Sequence, residues 1–180
     1  VYNNYSSWAI RLRGHLMSQK LNVFDDLHAC YYTLTRQEMR DYHYVRGDGE
    51  GLVNEPLRIK GMKMSISLRE DDRIDNKVWV SLRSVDDFSV EEVAKRFFNG
   101  GGHLNASGGQ LDCSLDEAVK ITREDIKYYA EELKKEAPAC HSCLAHDAGP
   151  IAVCQYLLNN WHNGPVSRGI FVYLQSKTRI

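Results

Sequence analysis

The eleven residues from Asn99 to Gly109, NGGGHLNASGG, hold five glycines and a histidine, with leucine the only large apolar side chain. Glycines let backbone N–H groups approach an anion with no Cβ in the way, and a short helix starting near His103 would add its positive end. His103 would donate to a phosphate oxygen or, when charged, pair with it. On this reading Asn99, Gly100, Gly101, Gly102 and His103, with Asn105, Ala106, Ser107, Gly108 and Gly109, form a phosphate cradle. The same composition also serves tight turns and close backbone packing, and a lone histidine also serves as a hydrogen-bonded packing residue. Spacing alone leaves both readings open.

Arg83 and Ser84 are the next candidates. In KVWVSLRS, Val78, Val80 and Leu82 alternate with Lys77, Trp79, Ser81 and Arg83. Arg83 therefore leaves the apolar face near the strand's C-terminal end, where it would grip a phosphate through two N–H groups. A solvated surface arginine is the competing reading. A third cluster, Cys140, Cys143 and His146 with Cys154 or His162, has ligand-like separations but lacks the second close pair of a zinc knuckle. No strand-to-helix context supports a redox Cys-x-x-Cys there. Residues 138–180 read as an unpatterned extension, and no metal site is expected in the chain.

The elements that must position these groups follow from periodicity. GMKMSISLRE alternates Met62, Met64, Ile66 and Leu68 with polar residues, the pattern of a half-buried strand, and DDRIDN turns it into KVWVSLR as a hairpin or close neighbour. Ser89 with Glu92 forms a capping box before the stripe Val90, Val93, Ala94, Phe97 and Phe98, a helix expected to stop at Asn99 and Gly100. Ser114 with Glu117 opens a longer helix whose Leu115, Ala118, Val119, Ile126, Ala130 and Leu133 share a face, ending by Pro138. Upstream, a helix is expected near residues 6–19, a strand in LHACYYTLT, a short helix in RQEMRDYHYV, and one or two helical turns between Leu52 and Ile59. GGQLDCS is expected as a strand. The fold class is α/β, a mixed sheet flanked by helices with a glycine-rich loop, strand order open.

The 180 residues carry a formal charge of −1 and 43% hydrophobic composition, which suits one globular domain or one domain with appendages. So nearly neutral a chain offers little long-range steering, and anion binding must be local. No apolar run approaches a membrane span. Five scattered cysteines do not resemble a secreted disulfide framework, so a reducing cytoplasm is expected. The opening VYNNYSSW, without an initiator Met, reads as the interior of a longer protein.

Taken in order, GDGEGLVNEPLRIKGMKMSISLRE, VSLRSVDDFSVEEVAKRFFNGGGHLNASGG and SLDEAVK resemble the C-terminal, DHH-associated domain of the DHH phosphoesterase family. The resemblance covers about residues 1–137 and is greatest to the bacterial enzymes that degrade short oligoribonucleotides and dephosphorylate pAp, with cyclic-di-AMP phosphodiesterases as cousins. It implies residues 1–45 as a segment following a catalytic domain, 46–137 as the substrate-binding core and 138–180 as an atypical extension. It also implies a two-domain parent whose other domain holds two metal ions, typically Mn2+, on an Asp-His-His motif that this sequence does not contain. Arg83, Ser84, Asn99 to His103 and Asn105 to Gly109 occupy the family's substrate-side positions, with Ser107 where alanine is common.

The implied partners are short RNA or a small phosphorylated nucleotide, with no membrane and with a homodimer as the assembly. The fragment alone is expected to be inactive. The alternative is a stand-alone nucleotide or nucleic-acid binding module.

Overall fold

The computed structural model describes residues 5–135. Their centre is a six-stranded mixed sheet built from β1 (Asn22–Phe24), β2 (Ala29–Leu34), β3 (Met64–Glu70), β4 (Val78–Ser84), β5 (Gly101–His103) and β6 (Ala106–Leu111), in the order β1-β2-β3-β4-β6-β5. Only β2 and β3 pair in parallel. The remaining neighbours are antiparallel, including the β3–β4 hairpin that the alternating apolar residues predicted.

The alternation assigns the faces. Met64, Ile66 and Leu68 of β3 and Val78, Val80 and Leu82 of β4 are all buried in one core with Val93, Phe98, Ala118 and Ile126. Two helices cover this face, α3 (Val90–Phe97) and α4 (Leu115–Tyr128), followed by the short α5 (Ala130–Leu133). Ser89 accepts a hydrogen bond from the Glu92 N–H at the start of α3, and Ser114 with Glu117 forms the complete reciprocal cap of α4. The long helix expected from residue 115 is interrupted at Tyr129, whose buried ring packs edge-on against Phe88.

On the opposite face a second core joins Tyr32 and Leu34 of β2 to Leu12 and Leu16, and to Leu52 and Val53 of a 3-10 segment, Leu52–Arg58. Leu12 belongs to the first helix, α1 (Ser7–His15), and Leu16 begins the single π turn that continues it, Leu16–Lys20. A further helix, α2 (Arg36–Asp41), is opened by a Thr35–Glu38 capping box. β2 is thus buried on both sides, whereas β4 shows buried residues on one side and exposed Trp79 and Ser81 on the other.

The strand in the segment of residues 108–114 begins earlier than its sequence suggested, at Ala106, and β1 and β5 are too short for periodicity to reveal. One feature of α4 defies the usual burial rule: Asp125 is fully buried, and neither carboxylate oxygen has a hydrogen-bond partner. Loss of solvation pushes its pKa up to about 8.

Candidate functional site

The glycine run forms a hairpin. His103 is the last residue of β5, Leu104 and Asn105 make the turn, and no helix starts at His103. The expected helix dipole is therefore absent, and the first turn of the adjacent α3 is engaged elsewhere: the Val90 N–H donates to the Leu104 carbonyl at 2.8 Å. Five glycines and two small residues cannot fill a helix face, but they let strands and a helix end approach one another.

The added-methyl geometry shows which glycines serve that approach. A Cβ at Gly100 would run into the Gly108 carbonyl, and one at Gly109 into the Phe98 carbonyl. At Gly102, with φ +153°, it would lie 2.6 Å from the Ala106 carbonyl oxygen. A Cβ at Gly108 would be tight against the Val80 carbonyl oxygen, at 3.3 Å. Gly101 differs. Its Cβ would meet only the Lys95 side chain, with Cε at 3.9 Å. The packing reading thus accounts for Gly100, Gly102 and Gly109, and leaves Gly101 as the position where an absent side chain keeps space open.

Polar residues of the run are largely committed to architecture. The Ser84 hydroxyl is buried, donates to the Phe88 carbonyl at 2.7 Å and accepts from Asn105 Nδ2 at 3.0 Å. Asn105 Nδ2 also reaches the Asp86 carbonyl at 3.0 Å. Ser107 is buried and donates to the His103 carbonyl at 2.9 Å, stapling the hairpin. Asn99 takes the left-handed conformation, φ 47°, that ends α3, and Gly100 N–H closes that end on the Ala94 carbonyl.

Arg83 and His103 remain. Arg83 pairs in register with Ala106, and Ala106 with His103, so the two cationic candidates stand in one row across three strands with a methyl group between them. Their Cα atoms are two strand spacings apart, about 10 Å. Arg83 is half-buried, and its Nη1 donates to the Leu82 carbonyl at 2.8 Å. Among the described residues no carboxylate pairs with it. His103 is exposed. β5 is the sheet's edge, so one row of its backbone groups has no ladder partner. A planar guanidinium, an imidazole and free edge N–H groups around a small-residue floor suit an oxyanion with several acceptor oxygens.

A model of the DHHA1 domain matches residues 37–136, more than half of the chain. The chain belongs to the DHHA1 domain family. Among solved structures, this DHHA1 chain is similar to an exopolyphosphatase-related protein from Bacteroides fragilis, at 42% identity and a TM-score of 0.71. That match covers 75% of this chain but only 38% of the Bacteroides protein. A pGpG-specific phosphodiesterase, PggH, from Vibrio cholerae matches at 13% identity and a TM-score of 0.48, covering 67% of this chain and 38% of that one. An uncharacterized protein from Helicobacter pylori G27 matches at 24% and 0.37, covering 66% and 30%. No protein of curated function matches the chain.

Within the DHHA1 domain, Lys95 is a candidate that sequence reasoning missed. It sits on the solvent side of α3, ion-paired to Glu91 at 2.6 Å, and its side chain passes the open space at Gly101. Its place four residues after Glu91 reads as an ordinary helix-surface pair, and only the edge position of β5 brings it to the cradle. Among the described residues no three His, Cys, Asp or Glu side chains converge as metal ligands. The Cys140, Cys143, His146, Cys154 and His162 set lies outside the described residues. Cys30 and Cys113 are free thiols, and no described helix is long and apolar enough to cross a membrane.

Proposed function

We propose that this DHHA1 chain is the substrate-binding half of a metal-dependent phosphoesterase acting on short oligoribonucleotides or small phosphorylated nucleotides such as pAp. The metal ions and the attacking water belong to a catalytic domain outside this sequence. The observation that carries the reading is the row Arg83, Ala106, His103 beside the open Gly101. Arg83 holds a phosphate by charge-assisted hydrogen bonds, His103 donates to a second oxygen, and edge N–H groups of β5 complete the contact. Ser84, Asn105 and Ser107 position this row by fixing the loop and hairpin around it. Family membership and the description of the Bacteroides fragilis relative as exopolyphosphatase-related are in keeping with phosphate as the recognised group. The free thiols suit a reducing, cytoplasmic setting.

Calorimetric titration of the full chain with pAp and with a 5′-phosphorylated RNA dinucleotide tests this. Arg83→Ala and His103→Ala should each remove a charge-assisted hydrogen bond of roughly 1.5–3 kcal/mol, ten- to a hundredfold in Kd, with Tm nearly unchanged. Unchanged affinity accompanied by a lower Tm would make the row packing architecture and end the proposal.

A further inference from the structure

Two concave regions lie on the sheet's open side, away from the Arg83–His103 row, and Trp79 borders both. The larger, about 910 Å³, is lined by Arg40, Arg46, Arg69, Arg73 and Tyr44 among others. The smaller, about 360 Å³, runs past Arg69, Ser67 and Ser81. Five arginines border the larger one against two aspartates, and their commitments differ. Arg36 is used structurally, tying its helix to the β3–β4 turn through Asp75 and the Ile74 carbonyl. Arg73 lies 3.7 Å from Asp72. Arg40, Arg46 and Arg69 pair with no described carboxylate.

The carboxylate nearest Trp79, that of Asp71, stays ionised, its pKa brought down to about 2 by hydrogen bonds that occupy both oxygens. Asp71 accepts from Trp79 Nε1 at 2.7 Å and from the N–H groups of Ile74 and Arg73 at 2.8 and 2.9 Å. That arrangement also fixes the indole, which is 38% exposed, with the Lys77 ammonium 5.0 Å from its ring centroid. An anchored, partly exposed indole beside unpaired guanidiniums is the stacking-and-charge platform of single-stranded nucleic-acid binding.

Position decides what the platform serves. Trp79, Ser81 and Arg83 alternate along the same side of β4, and Ser81 is in register with Gly108, itself paired with Gly101. The floor between the two ends is therefore serine and glycine, with nothing large to interrupt a bound chain. Trp79 and Arg83 are four residues apart, about 13 Å along the strand. Stacked bases spaced by about 3.4 Å would fill that span with roughly four nucleotides.

We infer that the open face of the sheet binds a single-stranded oligonucleotide of about four nucleotides, with its terminal phosphate at Arg83 and His103 and a distal base stacked on Trp79 while Arg46 and Arg69 hold a distal phosphate. This deepens the function proposed above and rests on it for the Arg83 end only. The chain is a length-selective reader: a mononucleotide uses one anchor, and a short oligonucleotide uses both.

The test is a series of 5′-phosphorylated oligouridylates of one to five nucleotides, titrated into the full chain and read by calorimetry and by quenching of tryptophan emission. Affinity should rise at least tenfold between one and four nucleotides and then level off. The Arg46→Ala/Arg69→Ala double variant should flatten that rise while leaving mononucleotide affinity as it was. Trp79→Ala should flatten it too and remove most of the quenching, and Trp79→Phe should restore the length dependence. Arg83→Ala should weaken every length alike. A flat series in the unaltered chain with Arg83-sensitive mononucleotide binding would overturn this inference and leave the proposed function standing. A rise that survives the double arginine variant and Trp79→Ala would overturn it as well. Affinity indifferent to Arg83 at every length would overturn both.

Discussion

A single methyl group has opposite consequences at Gly101 and Gly109. At Gly109 it meets the Phe98 carbonyl and, at 2.8 Å, Phe98 Cβ, both part of the core that seats α3. Gly109→Ala should cost at least about 2 kcal/mol, measured by urea denaturation. At Gly101 the methyl has room, so Gly101→Ala should keep its denaturation midpoint while weakening pAp binding severalfold, because it occupies the space left for the anion. Asp125 gives a prediction of another kind. Its carboxyl titrates near 8 in the folded chain and near 3.8 when exposed, so between those values the folded state keeps a proton that the unfolded state releases. The stability that Asp125 contributes is therefore fully present below about pH 4, is lost as pH rises, and is gone above about pH 8. Asp125→Asn, neutral throughout, should match the unaltered chain at pH 4 and exceed it at pH 9 by on the order of several kcal/mol. Denaturation curves showing no pH-dependent difference between the two would refute the assignment.

The caps set element stability where packing does not. Ser114 and Thr35 each accept the N–H three residues on, and Glu117 and Glu38 return the bond. Ser114→Ala should cost about 1 kcal/mol by thermal or chemical denaturation. The Thr35 cap differs because Glu38 is drawn into a larger cluster. Burial works against its charge, yet hydrogen bonds from the Thr35 N–H, His15, the Thr35 hydroxyl and Lys20 outweigh it and bring the pKa down to about 2. The stability this supplies is complete above about pH 4.5 and is lost as pH falls toward 2. Glu38→Gln should remove that acid-side fall, and a variant that kept it would show the carboxylate to be unimportant there. The alternating strands and the two serine caps of α3 and α4 were legible in the sequence because their signals are local. The strand character of the glycine run was not, since glycine has low strand propensity and β5 holds its conformation only through its pairing with β6.

At the scale of the molecule, a formal charge of −1 means that any nucleotide affinity comes from the few groups gathered on one side of the sheet. The dependence of log K on log salt for a tetranucleotide should therefore be shallow, with a slope of about −1 to −2, corresponding to two or three phosphates contacted. A steep slope would point to a diffuse basic surface that the composition does not provide. On the proposal that the metal ligands belong to a catalytic domain outside this sequence, the purified chain should release no nucleotide from short RNA in the presence of Mn2+. Manganese-dependent release by contaminant-free chain would place catalytic ligands within this sequence.

The amino-acid sequence alone determined the α/β class, the two amphipathic helices, the β3–β4 pairing and the side of β4 on which Arg83 stands, because period, caps and turn residues act over a few positions. It also singled out the glycine run, while leaving open whether those glycines serve an anion or packing. That division needed tertiary structure. Gly100 and Gly109 are tight because of Gly108 and Phe98, and Gly101 is open because only a flexible lysine lies beside it. The row of Arg83, Ala106 and His103 exists because β6 inserts between β4 and β5, an order no local pattern encodes. Trp79 meets Arg69 through the β3–β4 register, whereas its approach to Arg40 and Arg46 depends likewise on how the segment after β2 folds back over the sheet. Side chains far apart in sequence become one surface only after the two cores fix the strand order, since hydrophobic burial is non-directional and the register comes from the pairing it permits.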